Sequence, residues 1–286
     1  MRPARFGTPA LGICVWLGAQ CAVPPFAVSS GLSGWPGLTG WLAPTAVAAE
    51  LDEIRARGYL VVAVKDNWYP MGFRSDSGEL VGFEIDIARR LAEALLGDPD
   101  AVQFQPVSNV DRVNAVVEGE VDLAIASVTI TAARQRIASF SEPYYLDGVG
   151  FITASPQVQT LADLSRQRVA LLNSSNTVAH VRYILPEAEL VPVASYQEAL
   201  ELLETGQAEA FAGDVTVLTG WQQQDGCYRV LDALISAEPL AIVLPKGTQY
   251  SPLRRDINAL IRTWYADGWL QQRARTWGLP APETSP

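Results

Sequence analysis

The sequence contains the same short arrangement twice, and this repeat limits the possible fold more than any other feature. In both places a helix-type segment ends at a glycine, a strand-type segment follows, and a polar residue comes eight positions after the glycine. The first pair is Gly119 and Ser127, and the second is Gly206 and Asp214. Helices that alternate with buried strands build α/β layers, and ligands of such sheets bind at the carboxyl ends of the strands. The repeat therefore predicts two α/β lobes, each with a polar group at a strand end.

The order of predicted elements divides the chain into segments. Residues 50–149 are predicted to form the first part of lobe 1, residues 150–238 lobe 2, and residues 239–286 a return to lobe 1. Crossovers near Asp147–Thr153 and Ala237–Ala241 would then form a hinge. The clearest helices are Leu51–Arg57, Phe83–Leu96 and Pro252–Tyr265, and the clearest strands are Leu60–Val64, Val102–Val107, Val121–Ala126, Val169–Leu172 and Leu240–Leu244.

The first 49 residues differ in composition from everything that follows. Arg2 and Arg5 are their only charges, an apolar run extends from Leu11 to Val28, and small residues close the segment at Ala46–Ala49. A basic start, an apolar middle and an Ala-x-Ala end predict a secretory signal peptide over residues 1–49, cleaved near its last two alanines. The alternative is an uncleaved membrane anchor, which the interrupting prolines and glycines disfavour.

Charge and composition exclude several classes of function. Without the two leader arginines the chain has 19 basic and 31 acidic residues, which argues against nucleic acid or an anionic membrane as a partner. Only Cys227 lies after the leader, so an internal disulfide is impossible there. With His180 as the single histidine, neither a metal site nor a cofactor is predicted. We expect an extracytoplasmic, monomeric protein.

The segment after the first repeated strand carries a candidate anion site. Ser127, Thr129 and Thr131 precede a predicted helix, and Arg134 follows seven residues after Ser127. A helix start offers free N–H groups, and an arginine matches a carboxylate with two parallel hydrogen bonds. The alternative is that the hydroxyls only cap the helix and that Arg134 is an ordinary surface arginine.

Asp214 stands at the corresponding place in the second lobe and supplies the opposite charge. If the lobes face each other, Arg134 would take a carboxylate and Asp214 an ammonium, so the cleft would suit a free α-amino acid. The alternative role for Asp214, as the N-cap of the next helix, is compatible with this one. A second polar helix start follows the strand Val169–Leu172 and consists of Ser174, Ser175, Asn176 and Thr177.

From Leu51 to Leu279 the chain resembles the polar amino-acid-binding proteins of ABC importers, which are periplasmic solute-binding proteins of family 3. The resemblance implies a type II periplasmic-binding-protein fold, in which two lobes, each a mixed sheet flanked by helices, are joined by a two-crossover hinge. The segments that carry it are Val62–Phe73, Gly78–Ala88 with Gly82-Phe83-Glu84-Ile85-Asp86, Gly119–Arg134, Phe140–Tyr145 and Gly206–Asp214.

The resemblance also assigns roles to single residues. It implies that Ser127, Thr129 and Arg134 hold the α-carboxylate of the ligand. It implies that Asp214 holds the α-ammonium and that the second-lobe helix start adds donors. At that start the family usually has a glycine followed by Ser or Thr, whereas this chain has Asn173-Ser174-Ser175-Asn176.

The ligand side chain is predicted from residues of lobe 1. Arg112 follows Asn109 at a position where glutamate- and aspartate-binding members carry an arginine. We therefore expect glutamate or aspartate first, and glutamine or asparagine next. The predicted side-chain pocket consists of Arg112, Trp68, Asn67 and Asp66, with Lys65 beside them.

Two other functions stay open at this point. An enzyme on the same scaffold, similar to cyclohexadienyl dehydratases, would need an acid or base with a shifted pKa, and Glu142 and Asp66 are candidates. A ligand-sensing domain would need a separate membrane partner. Because both Arg134 and Asp214 are present, the sequence favours a binding protein without catalytic residues that delivers its ligand to a permease by closing its lobes.

Overall fold

The computed structural model describes residues 48–173, 175 and 177–281. The predicted signal peptide, apart from its last two residues, and the predicted site residues Ser174 and Asn176 lie outside that part of the chain. The described strands are β1 (Leu60–Val64), β2 (Asn67–Trp68), β3 (Gly72–Arg74), β4 (Leu80–Val81), β5 (Val102–Pro106), β6 (Leu123–Ile125), β7 (Ser139–Asp147), β8 (Val149–Thr153), β9 (Arg168–Leu172), β10 (Glu189–Val193), β11 (Ala210–Asp214), β12 (Arg229–Val230) and β13 (Glu238–Leu244). The described α-helices are α1 (Leu51–Arg57), α2 (Phe83–Leu96), α3 (Asp111–Val117), α4 (Ala132–Gln135), α5 (Thr177–Ile184), α6 (Tyr196–Glu204), α7 (Val215–Gln224), α8 (Ser251–Ala266) and α9 (Trp269–Thr276).

Lobe 1 is built on a five-stranded mixed sheet in the order β5-β1-β6-β13-β7. Strand β1 runs parallel to β5 and β6, whereas β13 runs antiparallel to β6 and β7. Helices α2, α8 and α9 contribute to the apolar cluster on one face, and α3 contributes to the cluster on the other. A three-stranded sheet, β2-β3-β4, completes this lobe.

Lobe 2 repeats the same plan with the order β10-β9-β11-β8-β12. Strand β9 lies parallel to β10 and β11, and β8 is antiparallel to β11 and β12. Side chains of α5, α6 and α7 fill the two apolar clusters beside this sheet. The prediction of two lobes with mixed sheets flanked by helices is therefore confirmed.

Local sequence fixes the longer of the first two helices of lobe 1, α2. Helix α2 has the predicted bounds because its apolar residues recur on one buried face and Gly97 closes it in the left-handed conformation, at φ 84°. Its N-cap, Gly82, has a φ of 134°, and a Cβ there would lie 2.4 Å from the carbonyl oxygen of Met71. Only glycine allows this close approach, which brings α2 against the β2–β3 hairpin.

The two connections between the lobes pass beside each other. Strand β7 ends at Asp147 in the first sheet, and β8 begins two residues later at Val149 in the second sheet. The Val149 N–H donates to the Ser236 hydroxyl at 2.9 Å on the returning chain. A Cβ at Gly148 would lie 2.2 Å from the Ser236 carbonyl oxygen, so the two connections approach as closely as backbones can.

The predicted helix after the first repeated strand is present, with Thr131 as its N-cap, but it is short. Ser127 follows β6 with a φ of 52°, and α4 begins at Ala132, as predicted, but has four residues. The intervening residues are extended because they pair with β13: the Ile130 N–H donates to Pro239 at 3.0 Å, and the Ala241 N–H donates to Val128 at 3.1 Å. A helix dipole therefore contributes little to this site.

Candidate functional site

A cavity of about 820 Å³ lies between the lobes, and both lobes line it. We call it the main cavity. Lobe 1 and the returning chain contribute Trp68, Asn109, Arg112, Ser127, Thr129, Thr131, Ala133, Arg134, Asp147, Glu238 and Leu240, and lobe 2 contributes Ser175, Thr177, His180, Tyr196 and Asp214.

Two guanidinium groups face the main cavity from lobe 1. Nη1 of Arg134 donates to the Thr129 carbonyl at 2.9 Å, and Nη1 of Arg112 donates to the carbonyls of Ala126 and Ser127 at 2.7 Å each. Burial, and next the charge of Arg134, lower the pKa of the Arg112 guanidinium. Each arginine keeps further N–H donors, and because the two charges repel each other, an anion between them is favoured.

A buried carboxyl group fixes Ser127. The N–H and Oγ of Ser127 both donate to Oε1 of Glu84, at 2.6 and 2.9 Å, and the Tyr144 hydroxyl donates to the same oxygen at 2.5 Å. Burial raises the pKa of Glu84, and these hydrogen bonds oppose the shift. The hydroxyl proton of Ser127 is therefore engaged within the protein, whereas a role at a ligand carboxylate requires a free donor.

Acidic groups occupy the other side of the main cavity. Asp214 ends β11 and stands at the N-cap of α7, but its side chain makes no capping hydrogen bond. Burial, and next the charge of Glu238, raise the pKa of Asp214 to about 6. Asp147 accepts from the Thr216 hydroxyl at 2.7 Å and from the Gly148 N–H at 2.8 Å, and burial with the charge of Asp214 raises its pKa to about 7. This side of the cavity favours a cation.

Lobe 2 adds hydroxyl groups and the single histidine. Ser175 and Thr177 line the main cavity at the start of α5, where the Ser175 hydroxyl accepts from the Thr177 N–H at 3.0 Å. His180 follows on the first turn of that helix, and Tyr196 begins α6. The cavity therefore meets donors and acceptors from lobe 2 as well as the Asp214 carboxyl.

A side cavity of about 220 Å³ adjoins the main cavity and shares Trp68, Asn109 and Tyr196 with it. Its remaining lining residues are Lys65, Asn67, Tyr69, Val217, Gly220, Trp221 and Gln224. Lys65 is only 4% exposed, and its Nζ donates to the Val107 carbonyl at 2.9 Å. Burial, and next the charge of Arg112, lower the Lys65 pKa. A buried cation next to Arg112 favours an anion at this end of the site.

The structure does not bring Asp66 to either cavity. Its carboxylate pairs with Arg74 at 3.2 Å on the surface of the β2–β3 hairpin. Asn67 lines only the side cavity, whereas Trp68 lines both. The residues predicted for the side-chain pocket are therefore divided between the two cavities, and Asp66 lies outside both.

The lobes touch at the mouth of the side cavity. The Tyr69 hydroxyl of lobe 1 donates to Oε1 of Gln223 of lobe 2 at 2.7 Å, and Nε2 of Gln223 donates to the Trp277 carbonyl at 3.1 Å. A Cβ at Gly220 would lie 2.5 Å from the carbonyl oxygen of Tyr69. Helix α7 thus lies directly against lobe 1, and the lobes are in contact over the cavities.

Sequence reasoning missed several residues of the main cavity. The sequence analysis names Asn109 only as the residue that Arg112 follows and Asp147 only as part of a crossover, and nothing local marks His180 or Tyr196 as site residues. The signal that could have found Glu238 is its position at the second crossover, where the returning chain passes both lobes. The polar residues added by the structure are Asn109, Asp147, His180, Tyr196 and Glu238.

Two mixed α/β lobes joined by adjacent crossovers, with a charged cavity lined by both, define a type II periplasmic binding protein. Residues 60–280 match the bacterial extracellular solute-binding proteins, family 3, and the chain belongs to this family. The predicted family is thereby confirmed. In the part of the chain that the structure describes, no cluster of His, Cys, Asp or Glu fits a metal ion, and no helix is long and apolar enough to cross a membrane.

The similar proteins are named after several different ligands. The chain is 33% identical over 202 residues to the glutamine-binding protein of Geobacillus stearothermophilus, covering 70% of this chain and 77% of that one. It is similar to the solute receptor for L-cysteine of Neisseria gonorrhoeae, with 28% identity, a TM-score of 0.65 and coverage of 82% and 95%. It is also similar to the ancestral amino acid-binding protein AncCDT-1, a precursor of cyclohexadienyl dehydratase, with 26% identity, a TM-score of 0.64 and coverage of 79% and 98%.

Proposed function

We propose that the protein binds an α-amino acid with an anionic side chain, glutamate or aspartate, outside the cytoplasm and delivers it to an ABC importer permease. The observation that carries this proposal is that Arg134 of lobe 1 and Asp214 of lobe 2 line one cavity. A zwitterion satisfies both charges at once. The relatives named as amino-acid-binding proteins support the class of ligand.

In this proposal Arg134 and Thr129 receive the α-carboxylate. The remaining N–H groups of Arg134 are the charged donors. The Thr129 hydroxyl donates to Oε2 of Glu238 over a long 3.5 Å, and it adds a neutral donor when it turns to the ligand. Ser175 and Thr177 approach from the opposite lobe. Donors from both lobes on one carboxylate favour the closed form, because such contacts exist only when the lobes meet.

Asp214 receives the α-ammonium, with Glu238 and Asp147 as further negative groups. The Asp214 side chain makes no capping hydrogen bond, so its oxygens are available to a ligand. Burial and the charge of Glu238 raise the pKa of Asp214 to about 6, so a positive charge beside this carboxyl is favoured. The α-ammonium supplies that charge.

Arg112 and Lys65 receive the side-chain carboxylate, with Trp68 beside them at the junction of the two cavities. Burial lowers the pKa of both cations, and Arg112 lies close enough for its charge to lower the pKa of Lys65 further. A neutral amide would leave this positive charge without a partner, so a glutamate or aspartate side chain is preferred over glutamine or asparagine.

Calorimetry on the ligand-free protein tests this proposal. The four ligands to titrate are glutamate, aspartate, glutamine and asparagine. We expect the acidic amino acid to bind at least about tenfold more tightly than its amide. Equal binding of acid and amide would remove the side-chain assignment, and no binding of any α-amino acid would remove the whole proposal.

The enzyme alternative has one observation in its favour. Asp147 in the main cavity has a pKa raised to about 7, which suits a general acid, and a similar structure is a precursor of cyclohexadienyl dehydratase. Incubation with a cyclohexadienyl carboxylate, followed by NMR, distinguishes the functions. We expect no turnover, since Asp147 is held by the Thr216 hydroxyl at 2.7 Å and Asp214 is assigned to an ammonium.

The proposed partners follow from the same assignment. The ligand-bound monomer docks on a membrane permease, and the negative net charge of −10 disfavours nucleic acid as a partner. A scintillation uptake assay in vesicles that carry a candidate permease tests delivery. Uptake that is independent of the binding protein would exclude that permease as its partner.

A further inference from the structure

Glu84 is a buried carboxyl group that the proposed ligand contacts do not use. It lies in the first turn of α2, and its exposure is 0%. Its Oε1 accepts three hydrogen bonds, from the N–H and hydroxyl of Ser127 and from the hydroxyl of Tyr144. An acidic residue this deeply buried is unfavourable unless its contacts compensate, so its position calls for a specific reason.

The contacts of Glu84 hold an unusual backbone conformation. Ser127 is in the left-handed region at φ 52°, which is unfavourable for a residue with a side chain. Glu84 binds the Ser127 N–H on one side, and Arg112 binds the carbonyls of Ala126 and Ser127 on the other, at 2.7 Å each. The turn that leads from β6 into the main cavity is thus held between a carboxyl and a guanidinium group.

This arrangement fixes the hydrogen-bonding character of the Ser127 hydroxyl. A hydroxyl has one proton, and Ser127 donates it to Oε1 of Glu84 at 2.9 Å. Oε1 accepts whether Glu84 is ionised or neutral, because a proton on a neutral Glu84 would sit on Oε2, which has no partner within the described residues. Only the lone pairs of the Ser127 hydroxyl are therefore available to a ligand in the main cavity.

We propose that Glu84 is a positioning residue that makes Ser127 a hydrogen-bond acceptor for the α-ammonium of the ligand, so that the site discriminates amino acids from carboxylates that lack the amino group. This inference rests on the proposed function and replaces the predicted role of Ser127 at the α-carboxylate. Asp214 supplies the charge for the ammonium, and Ser127 supplies a neutral acceptor with a fixed direction.

The test compares glutamate with glutarate, which lacks only the amino group. In Glu84→Ala the affinity for glutamate should fall about 10- to 100-fold and the affinity for glutarate by less than about threefold. Glu84→Gln should behave like the wild type, because its Oε1 still accepts from Ser127. Tyr144→Phe is the matched control: it removes one donor to the same oxygen, leaves Ser127 in place and should keep the glutamate-to-glutarate ratio.

Two further measurements make the test decisive. Ser127→Ala should reduce the ratio of glutamate affinity to glutarate affinity as Glu84→Ala does. The variant that combines both substitutions should reduce this ratio no further. If Glu84→Ala does not fold, Ser127→Ala and Glu84→Gln carry the comparison. An equal loss for both ligands in Glu84→Ala, or an unchanged ratio in Ser127→Ala, would overturn the inference.

Amide hydrogen exchange separates this inference from the proposed function. In the ligand-free protein the Ser127 N–H should exchange slowly in the wild type and in Glu84→Gln, and faster in Glu84→Ala. If the wild type binds no amino acid, the proposed function and the ammonium selectivity both fail, and the exchange rate alone decides whether Glu84 positions Ser127. Fast exchange in the wild type would overturn the positioning role itself.

Discussion

The backbone of Gly220 in lobe 2 lies against the carbonyl oxygen of Tyr69 in lobe 1, so that a Cβ at Gly220 would be 2.5 Å from that oxygen. Gly220 is in the middle of α7, where alanine is intrinsically favoured over glycine by about 1 kcal/mol. The same methyl group would thus stabilise the helix and obstruct contact between the lobes. Helix stability and lobe closure can therefore be separated by one substitution.

Gly220→Ala should weaken ligand binding about tenfold without lowering the melting temperature of the ligand-free protein. Calorimetry measures the affinity, and small-angle X-ray scattering with saturating ligand should give a larger radius of gyration than for the wild type. Gly226→Ala is the matched control, because a Cβ there would meet nothing within 4 Å. Unchanged affinity in Gly220→Ala would show that contact between α7 and Tyr69 is not needed for the bound state.

Asp214→Asn should lower the affinity for an α-amino acid about 100-fold, because the variant loses the charge that faces the ammonium. The substitution keeps the side-chain shape, and no capping hydrogen bond is lost. Glutarate binding should change little or improve, since this ligand has no ammonium. Asp76→Asn, on an exposed turn of lobe 1, is the control for a change of net charge. A loss of less than threefold would exclude Asp214 from the ammonium site.

Lys65→Met should lower the affinity for glutamate about 10- to 100-fold and that for glutamine by less than about threefold. Methionine retains much of the side-chain volume while removing the buried charge. Lys246→Met is the matched control, since Nζ of Lys246 also donates to backbone carbonyls, those of Gln135 and Arg136 at 2.9 Å each, but on the surface. Equal losses for the two ligands would place the side-chain carboxylate elsewhere.

The raised pKa values of Asp147, about 7, and Asp214, about 6, predict opposite effects of pH on the empty protein and on binding. Unfolding returns both carboxyls toward ordinary values near 3.8, so between these limits the folded state holds more protons. The ligand-free protein should therefore become more stable as the pH falls from about 8 to about 5.5.

Ligand binding should show the reverse trend, because an α-ammonium favours the ionised form of Asp214. The increase in melting temperature on adding glutamate should shrink as the pH falls through about 6. Asp147→Asn should make the stability of the ligand-free protein less dependent on pH. The pH dependence of the ligand-induced rise in melting temperature should remain for the most part. If the rise in melting temperature caused by glutamate became larger toward low pH, the assignment of Asp214 to the α-ammonium would be contradicted.

Local patterns made much of the fold predictable. Helix α2 has the bounds that its periodicity and Gly97 indicate, since both signals lie within the segment itself. The two-lobe plan follows from the repeated order of helix, glycine, strand and polar residue. The polar residues that follow the two repeated strands also led to Arg134 and Asp214, which the structure places in one cavity.

The remaining parts of the site depend on contacts between distant segments. The hydroxyls before Ala132 correctly predicted a helix start, but nothing local indicates that α4 has four residues or that the segment before it pairs with β13. Nothing near Ser127 in the sequence indicates that Glu84, 43 positions earlier, takes its hydroxyl proton. Tyr196 and His180 reach the cavity only because lobe 2 lies over lobe 1.

The position of β13 between β6 and β7 has a consequence for the order of folding. Strand β7 bonds within its sheet only to β13, and the two are separated in sequence by the whole of lobe 2. During synthesis or export from the N-terminus, β7 and its buried Tyr144 and Tyr145 have no sheet partner until Glu238–Leu244 has emerged. Contacts within lobe 2 are more local, so lobe 2 can form first and lobe 1 is completed last. Until then, a nine-residue strand with three aromatic side chains, Phe140, Tyr144 and Tyr145, has no sheet partner and is prone to aggregation, and a holding chaperone has a defined segment to cover.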